Sequence, residues 1–167
     1  VQEYFEVLAK TKILGPVTAQ TGIELFETLR WTPSDGFNRL DRHLQRMRRS
    51  AEFFGVPMNF TCARGALDQA IAGDADRCLR VRLNLDMQGE FRVEWRELPE
   101  GLSSDEAQPI RLAVNPIDSS DLYLRHKTSH REVYDQAVAE VPDGVEPILF
   151  NERGEITESA IANVVYR

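Results

Sequence analysis

Arg42, Arg46, Arg48 and Arg49 crowd one short stretch beside His43, and Arg125-His-Lys-Thr-Ser-His-Arg131 forms a second cationic island. Clustered guanidinium groups either hold a phosphate or another polyanion, or solvate the outer face of a helix. In the second island Lys127 has cationic neighbours, which disfavour its ammonium form. A lysine of depressed pKa is what Schiff-base chemistry with a carbonyl requires. The plain alternative is a solvent-exposed lysine ahead of a helix. Glu158 has the same two readings, an exposed strand residue or a carboxylate facing a cofactor's ring nitrogen. Other chemistries lack their residues. The sequence has no Gly-rich phosphate loop, no His-Glu-x-x-His, no paired-Cys motif and no Gly-x-Ser-x-Gly elbow, so P-loop and metal-hydrolase chemistry drop out and no metal site is expected.

The elements that position these groups belong to an ordinary globule. With 167 residues, 42% hydrophobic and 28% charged, the chain suits one domain or two small ones and buries roughly 70% of its unfolded surface. The net charge of −7 is uneven: residues 1–100 carry 14 basic and 15 acidic groups, residues 101–167 carry 6 and 12. A net-acidic chain is a poor generic binder of nucleic acid or anionic membrane, because counterion release needs clustered cations. Cys62 and Cys78 are isolated thiols, which favours a reducing, cytoplasmic compartment. No run approaches the ~18 apolar residues of a membrane span, and the N-terminus lacks the features of a signal peptide. The first residue is Val rather than Met, which points to a trimmed or excerpted chain.

Residues 2–13 read as a short helix ended by Gly15-Pro16, and residues 22–31 as a strand followed by the turn Pro33-Ser-Asp-Gly36. Leu40, Leu44, Met47, Ala51 and Phe54 recur at helical spacing, with Asp41 as cap and Gly55 as stop. On this wheel Arg42 and Arg49 lie opposite the apolar stripe, His43 and Arg46 on one flank and Arg48 on the other. A second helix is expected over 62–72, capped by Asn59 or Thr61. Alternation over 79–85 and 91–95 around Met87-Gln-Gly89 predicts a β-hairpin. After the linker-like stretch 99–109 come a strand at 110–114, a polar loop at 115–126, a helix near 129–140, and strands at 146–151 and 161–166 flanking a segment that holds Glu158. The class is α+β, a mixed α/β chain.

Taken together, four ordered blocks carry a resemblance: Gly22-Ile-Glu-Leu-Phe-Glu-Thr-Leu-Arg30; Leu40-Asp-Arg-His-Leu-Gln-Arg46-Met with Ser50-Ala51; His126-Lys127-Thr-Ser-His-Arg-Glu-x-Tyr134; and Leu149-Phe-Asn-Glu-Arg-Gly-Glu-Ile-Thr-Glu158 with Asn163. In that order they resemble the class IV (fold type IV) pyridoxal-phosphate enzymes, which include branched-chain and D-amino-acid transaminases and aminodeoxychorismate lyase. The third and fourth blocks look most like the lyase, in particular lyases fused behind an aminodeoxychorismate synthase domain.

The resemblance implies an N-terminal helix and linker (1–21), a small α/β domain (22–104) and the first part of a cofactor-binding large domain (105–167), with roughly the last third of such a module missing. It implies pyridoxal 5'-phosphate as cofactor. Lys127 would carry the cofactor and later move the proton, Glu158 would pair with the pyridinium nitrogen, and Arg46 would hold the phosphate by a bidentate fork. Phe26 and Asn163 would lie near the cofactor, and Glu27, Thr28 and His43 near the substrate. The implied reaction converts 4-amino-4-deoxychorismate to p-aminobenzoate and pyruvate in folate biosynthesis. It would be carried out by a homodimer, fused to or working with the synthase. An amino-acid transaminase is the alternative; it needs a pocket for an α-carboxylate, for which Arg80 and Arg82 on one face of the hairpin are the candidates. A third reading is a non-catalytic remnant or a module whose arginine helix binds an anionic partner.

Overall fold

The computed structural model describes residues 22–74, 76–98 and 107–165. The helix expected over 2–13 and most of the 99–109 linker lie outside the described residues. By its contacts the chain divides into two compact units, residues 1–100 with 126–129, and residues 101–125 with 130–167.

The first unit is built on an antiparallel sheet of β1 (Leu25–Thr32), β2 (Gly36–Phe37), β3 (Leu79–Leu85) and β4 (Phe91–Glu97), in the order β2-β1-β3-β4. The register sets Leu25 opposite Leu85, Glu27 opposite Leu83 and Leu29 opposite Val81. Because side chains alternate along a strand, these residues share one face. Helices α1 (Leu40–Phe54) and α2 (Phe60–Ile71) supply Leu44, Met47, Ala51, Phe54, Ala63, Leu67 and Ile71 to the core. Each fully buried leucine contributes on the order of 2 kcal/mol. The opposite face carries Phe26, Thr28 and Arg30 of β1, Asn84, Arg82 and Arg80 of β3, and Arg92, Glu94 and Arg96 of β4, in register.

α1 ends as expected at Gly55 (φ 70°), where Val56 N–H donates to Ala51 O at 2.8 Å. Its start differs. Arg39 (φ 53°) is the left-handed residue before the first turn and provides no side-chain cap. Asp41 lies inside the first turn, two residues past the cap position, and pairs instead with Arg64 of α2. α2 is capped by Asn59, whose Oδ1 accepts from Thr61 N and Cys62 N at 2.8 and 3.1 Å, a cap worth about 1 kcal/mol. In the β3–β4 turn, Gly89 (φ 92°) is required: a Cβ there would stand 2.7 Å from Pro57 O.

The second unit is a three-stranded sheet, β5 (Ile110–Leu112), β6 (Glu146–Phe150) and β7 (Ile156–Ser159), with β5 parallel and β7 antiparallel to β6. A 3-10 helix (Leu122–Arg125) and α3 (Glu132–Ala139) precede β6. Ala113, Ile117, Ala137 and Leu149 form its core, with Leu124, Val133, Tyr134 and Phe150 packed against it. Two expectations are corrected. The last strand is 156–159, and the apolar run 161–165 is exposed and not a strand. The Asn151–Gly154 turn closes tightly, with Gly154 N donating to Asn151 O at 2.9 Å, so the chain returns along β6 at once and places Glu158 on the strand. The helix expected from residue 129 begins at Glu132 because residues 126–129 run extended beside β1. Thr128 bridges Leu25, and Ser129 N donates to Glu24 O at 2.8 Å. That pairing also puts 126–129 in the first unit rather than with the rest of 105–167. Among the described residues no helix is long and apolar enough to cross a membrane.

Candidate active site

The first unit presents two clusters, one on each face of its sheet. On the helix-covered face Glu27 is fully buried (0% exposed) between leucines. Arg46 grips it with Nε to Oε1 at 2.6 Å and Nη2 to Oε2 at 2.5 Å, and His43 Nδ1 lies 2.7 Å from Oε2. Burial opposes ionisation of Glu27, but hydrogen bonds and charge from Arg46 and His43 outweigh it and hold the carboxyl below its ordinary value. The bond to Glu27 raises Arg46 in turn. The shared flank of His43 and Arg46 on the helical wheel brings both to this carboxylate. Two expectations change. Glu27 does not border a pocket beside Phe26 and Thr28, because strand alternation turns it to the other face, where it acts on Arg46. The Nε/Nη2 fork of Arg46 is engaged by Glu27, so what the half-exposed guanidinium offers a phosphate is chiefly Nη1. Arg42 and Arg49 are exposed on the outer side of α1, and Arg48 pairs with Glu52 and lies over Phe60.

On the open face Phe26 is the centre. Its N–H donates to Lys127 O at 3.0 Å, the Lys127 Nζ stands 4.9 Å from the ring centroid, and the Arg82 Cζ stands 3.8 Å from it. Cations over an aromatic face are attracted by its quadrupole. Arg82 Nε donates to Asn84 Oδ1 at 2.9 Å, and Asn84, only 2% exposed, has no partner for its Nδ2. Thr28 is half-buried, directly opposite Arg82. Burial, then the neighbouring charges of Arg96 and Arg82, pull Arg80 below its ordinary value.

The residue before the lysine is anchored too. His126 stacks on Phe53 at 4.3 Å, meets the Phe54 edge at 5.0 Å, and its Nδ1 lies 3.0 Å from Ser50 Oγ. Ser50, Phe53 and Asn84 were not singled out in the sequence as site residues. Asn84 had a signal, a polar residue within the apolar Leu83-Asn84-Leu85 run.

In the second unit Glu158 sits half-buried on β7 and accepts the Tyr134 hydroxyl through Oε1 at 2.8 Å. Burial, then the Glu158 charge, keeps the phenol protonated well above its ordinary range. Arg131 lies 4.6 Å over the Tyr134 ring and donates to Ala160 O at 2.8 Å. Asn163 is exposed beyond the strand.

Comparison with protein families matches residues 24–167 to amino-transferase class IV. Comparison with curated proteins gives no match. Among solved structures, a candidate amino-acid aminotransferase from Mesorhizobium loti is 38% identical with a TM-score of 0.77, over 83% of this chain and 67% of that one. A candidate 4-amino-4-deoxychorismate lyase from Haemophilus somnus (16% identity, TM-score 0.66, 89% and 73% covered) and the 4-amino-4-deoxychorismate lyase of Pseudomonas aeruginosa (18%, 0.65, 83% and 56%) share the fold. The chain thus spans about two thirds of the first and little more than half of the last. With a family match across nearly all of its described residues and this mixed α/β architecture, the chain belongs to the class IV aminotransferases, of fold type IV.

Proposed function

We propose that this chain is part of a pyridoxal-phosphate lyase that splits 4-amino-4-deoxychorismate into p-aminobenzoate and pyruvate. Class IV enzymes as a family generally use this cofactor, and the residues present suit it. Lys127 offers an amine on the open sheet face. Glu158 offers a carboxylate that is held on the strand by the Tyr134 hydroxyl at Oε1. Arg46 offers Nη1 to a phosphate.

The observation that carries the reading is the setting of Lys127, half-buried beside Phe26 and Arg82 in a segment tied by its backbone to β1. When bound, the cofactor supplies an electron sink for the bond being broken. Lys127 would take the ring proton from the substrate, and by the family resemblance Glu158 would keep a proton at the cofactor's ring nitrogen. The bond between the ring and the enolpyruvyl oxygen breaks, and the departing enol gains a proton to become pyruvate. Atoms balance with no oxidant, and the aromatic product makes the step strongly downhill. In this reading the module works as a homodimer in the cytoplasm, with or beside a synthase that supplies its substrate.

The 38% identity to a candidate amino-acid aminotransferase favours a second reading, amino transfer to a keto acid. The assay that separates them supplies the cofactor and 4-amino-4-deoxychorismate without any keto acid. Equal amounts of p-aminobenzoate and pyruvate are expected. Turnover of amino acids that requires a keto acid, with no pyruvate from the chorismate compound, would overturn the lyase reading.

A further inference from the structure

A bulge in β7 decides which way Glu158 faces. Phe150 pairs with Ile156 and Leu149 with Glu158, so Thr157 is the extra residue between the two pairs. In an unbroken ladder Thr157 would stand opposite Leu149, and alternation would send Glu158 to the other face. A bulge re-aims the side chain that follows it. Here it sets a carboxylate on the face of Leu149, which is buried in the core of the second unit. A carboxylate turned toward an apolar core is costly unless a donor meets it, and the Tyr134 hydroxyl does so at 2.8 Å.

Tyr134 is itself held on two sides. Its side chain packs against the same core, and the Arg131 guanidinium lies 4.6 Å over its ring while donating to Ala160 O, just past β7, at 2.8 Å. Burial and the Glu158 charge both favour the neutral phenol, so Tyr134 keeps its proton and is the donor of the pair. An apolar pair would fill the same space without a half-buried charge, so stability alone does not account for the bulge and the pair it creates.

We propose that Tyr134 is a positioning residue for Glu158: its hydroxyl fixes Oε1 and the side-chain rotamer, which leaves Oε2 to receive the cofactor's ring N–H. A carboxylate anchored at one oxygen offers a second donor a fixed target, the way outer-shell partners orient ligands in general. The inference rests on the reading of Glu158 as the ring-nitrogen carboxylate and extends it to a residue that acts through another side chain.

The test compares pyridoxal phosphate with its deaza analogue, in which a CH group replaces the ring nitrogen, by calorimetric titration of the full chain. Tyr134→Phe keeps the ring, its packing and the Arg131 contact. It should weaken pyridoxal phosphate about tenfold and the deaza analogue less than about twofold. Because the readout is a ratio of two affinities in one preparation, a general loss of fold weakens both and leaves the ratio unchanged. Glu158→Gln should also act selectively on pyridoxal phosphate, and adding Tyr134→Phe to it should cost less than about twofold more. The proposal is overturned if Tyr134→Phe binds pyridoxal phosphate within twofold of wild type, or weakens both compounds alike. Selective loss in Glu158→Gln without selective loss in Tyr134→Phe would remove the positioning role and keep the ring-nitrogen reading. Equal weakening of both compounds by Glu158→Gln, or a wild type that binds no pyridoxal phosphate, would remove that reading and the positioning role with it.

Discussion

Lys127→Ala is expected to reduce product formation at least about 10³-fold, because the same amine serves as covalent attachment and as proton carrier. The fold should survive. The segment is held by main-chain bonds that alanine keeps: Lys127 O accepts from Phe26 N, Ser129 N donates to Glu24 O, and Glu24 N donates to Ser129 Oγ. The buried Thr128 opposite Leu25 and the stacked His126 are likewise untouched. The variant should therefore keep its circular dichroism and Tm while added pyridoxal phosphate no longer gives the visible band of the wild type. Wild-type turnover in Lys127→Ala would move the chemistry to another residue.

Arg46→Ala is expected to destabilise the chain by roughly 3–5 kcal/mol, since it strands the fully buried Glu27 carboxylate with only His43. The cost comes from the orphaned charge rather than from the worth of the pair. A double change, Glu27→Leu with Arg46→Met, should accordingly recover most of the loss. The pH dependence follows from the direction of the Glu27 shift. Its folded carboxyl is held below the reference value of 4.5, so the pair's stabilisation is fully present above about that pH. It declines as pH falls toward and through the lower folded value. Urea unfolding between pH 3 and 7 (roughly the carboxylate range) should show this acid-side loss in wild type, and much less of it in the double variant. An equally steep acid loss in the double variant would assign it to other carboxylates.

α1 and the β3–β4 hairpin were legible because their apolar residues repeat at one period against polar neighbours, and the hairpin turn had its glycine. Lys127, Glu158 and Arg46 drew notice by type and setting. What stayed hidden depends on register. Leu25, Phe26 and Glu27 are all buried, so alternation alone could not say that Glu27 turns toward α1 and Phe26 toward the open face. Ile161 to Val165 has strand-forming side chains, yet the tight Asn151–Gly154 turn had already committed 156–159 to β6. Arg30, Arg80 and Arg96 are far apart in sequence, and only the pairing of three strands sets them in a row. The left-handed Arg39 ahead of α1 has no sequence signature, as arginine gains nothing from that conformation.

The proposed chemistry requires that Lys127 be the residue that carries the cofactor. Borohydride reduction of the chain in the presence of pyridoxal phosphate, followed by peptide mass spectrometry, tests it directly. The stable adduct is expected on the peptide holding Lys127 and absent from Lys127→Ala. An adduct confined to Lys10 or Lys12, the chain's other lysines, or no adduct under saturating cofactor, would contradict it.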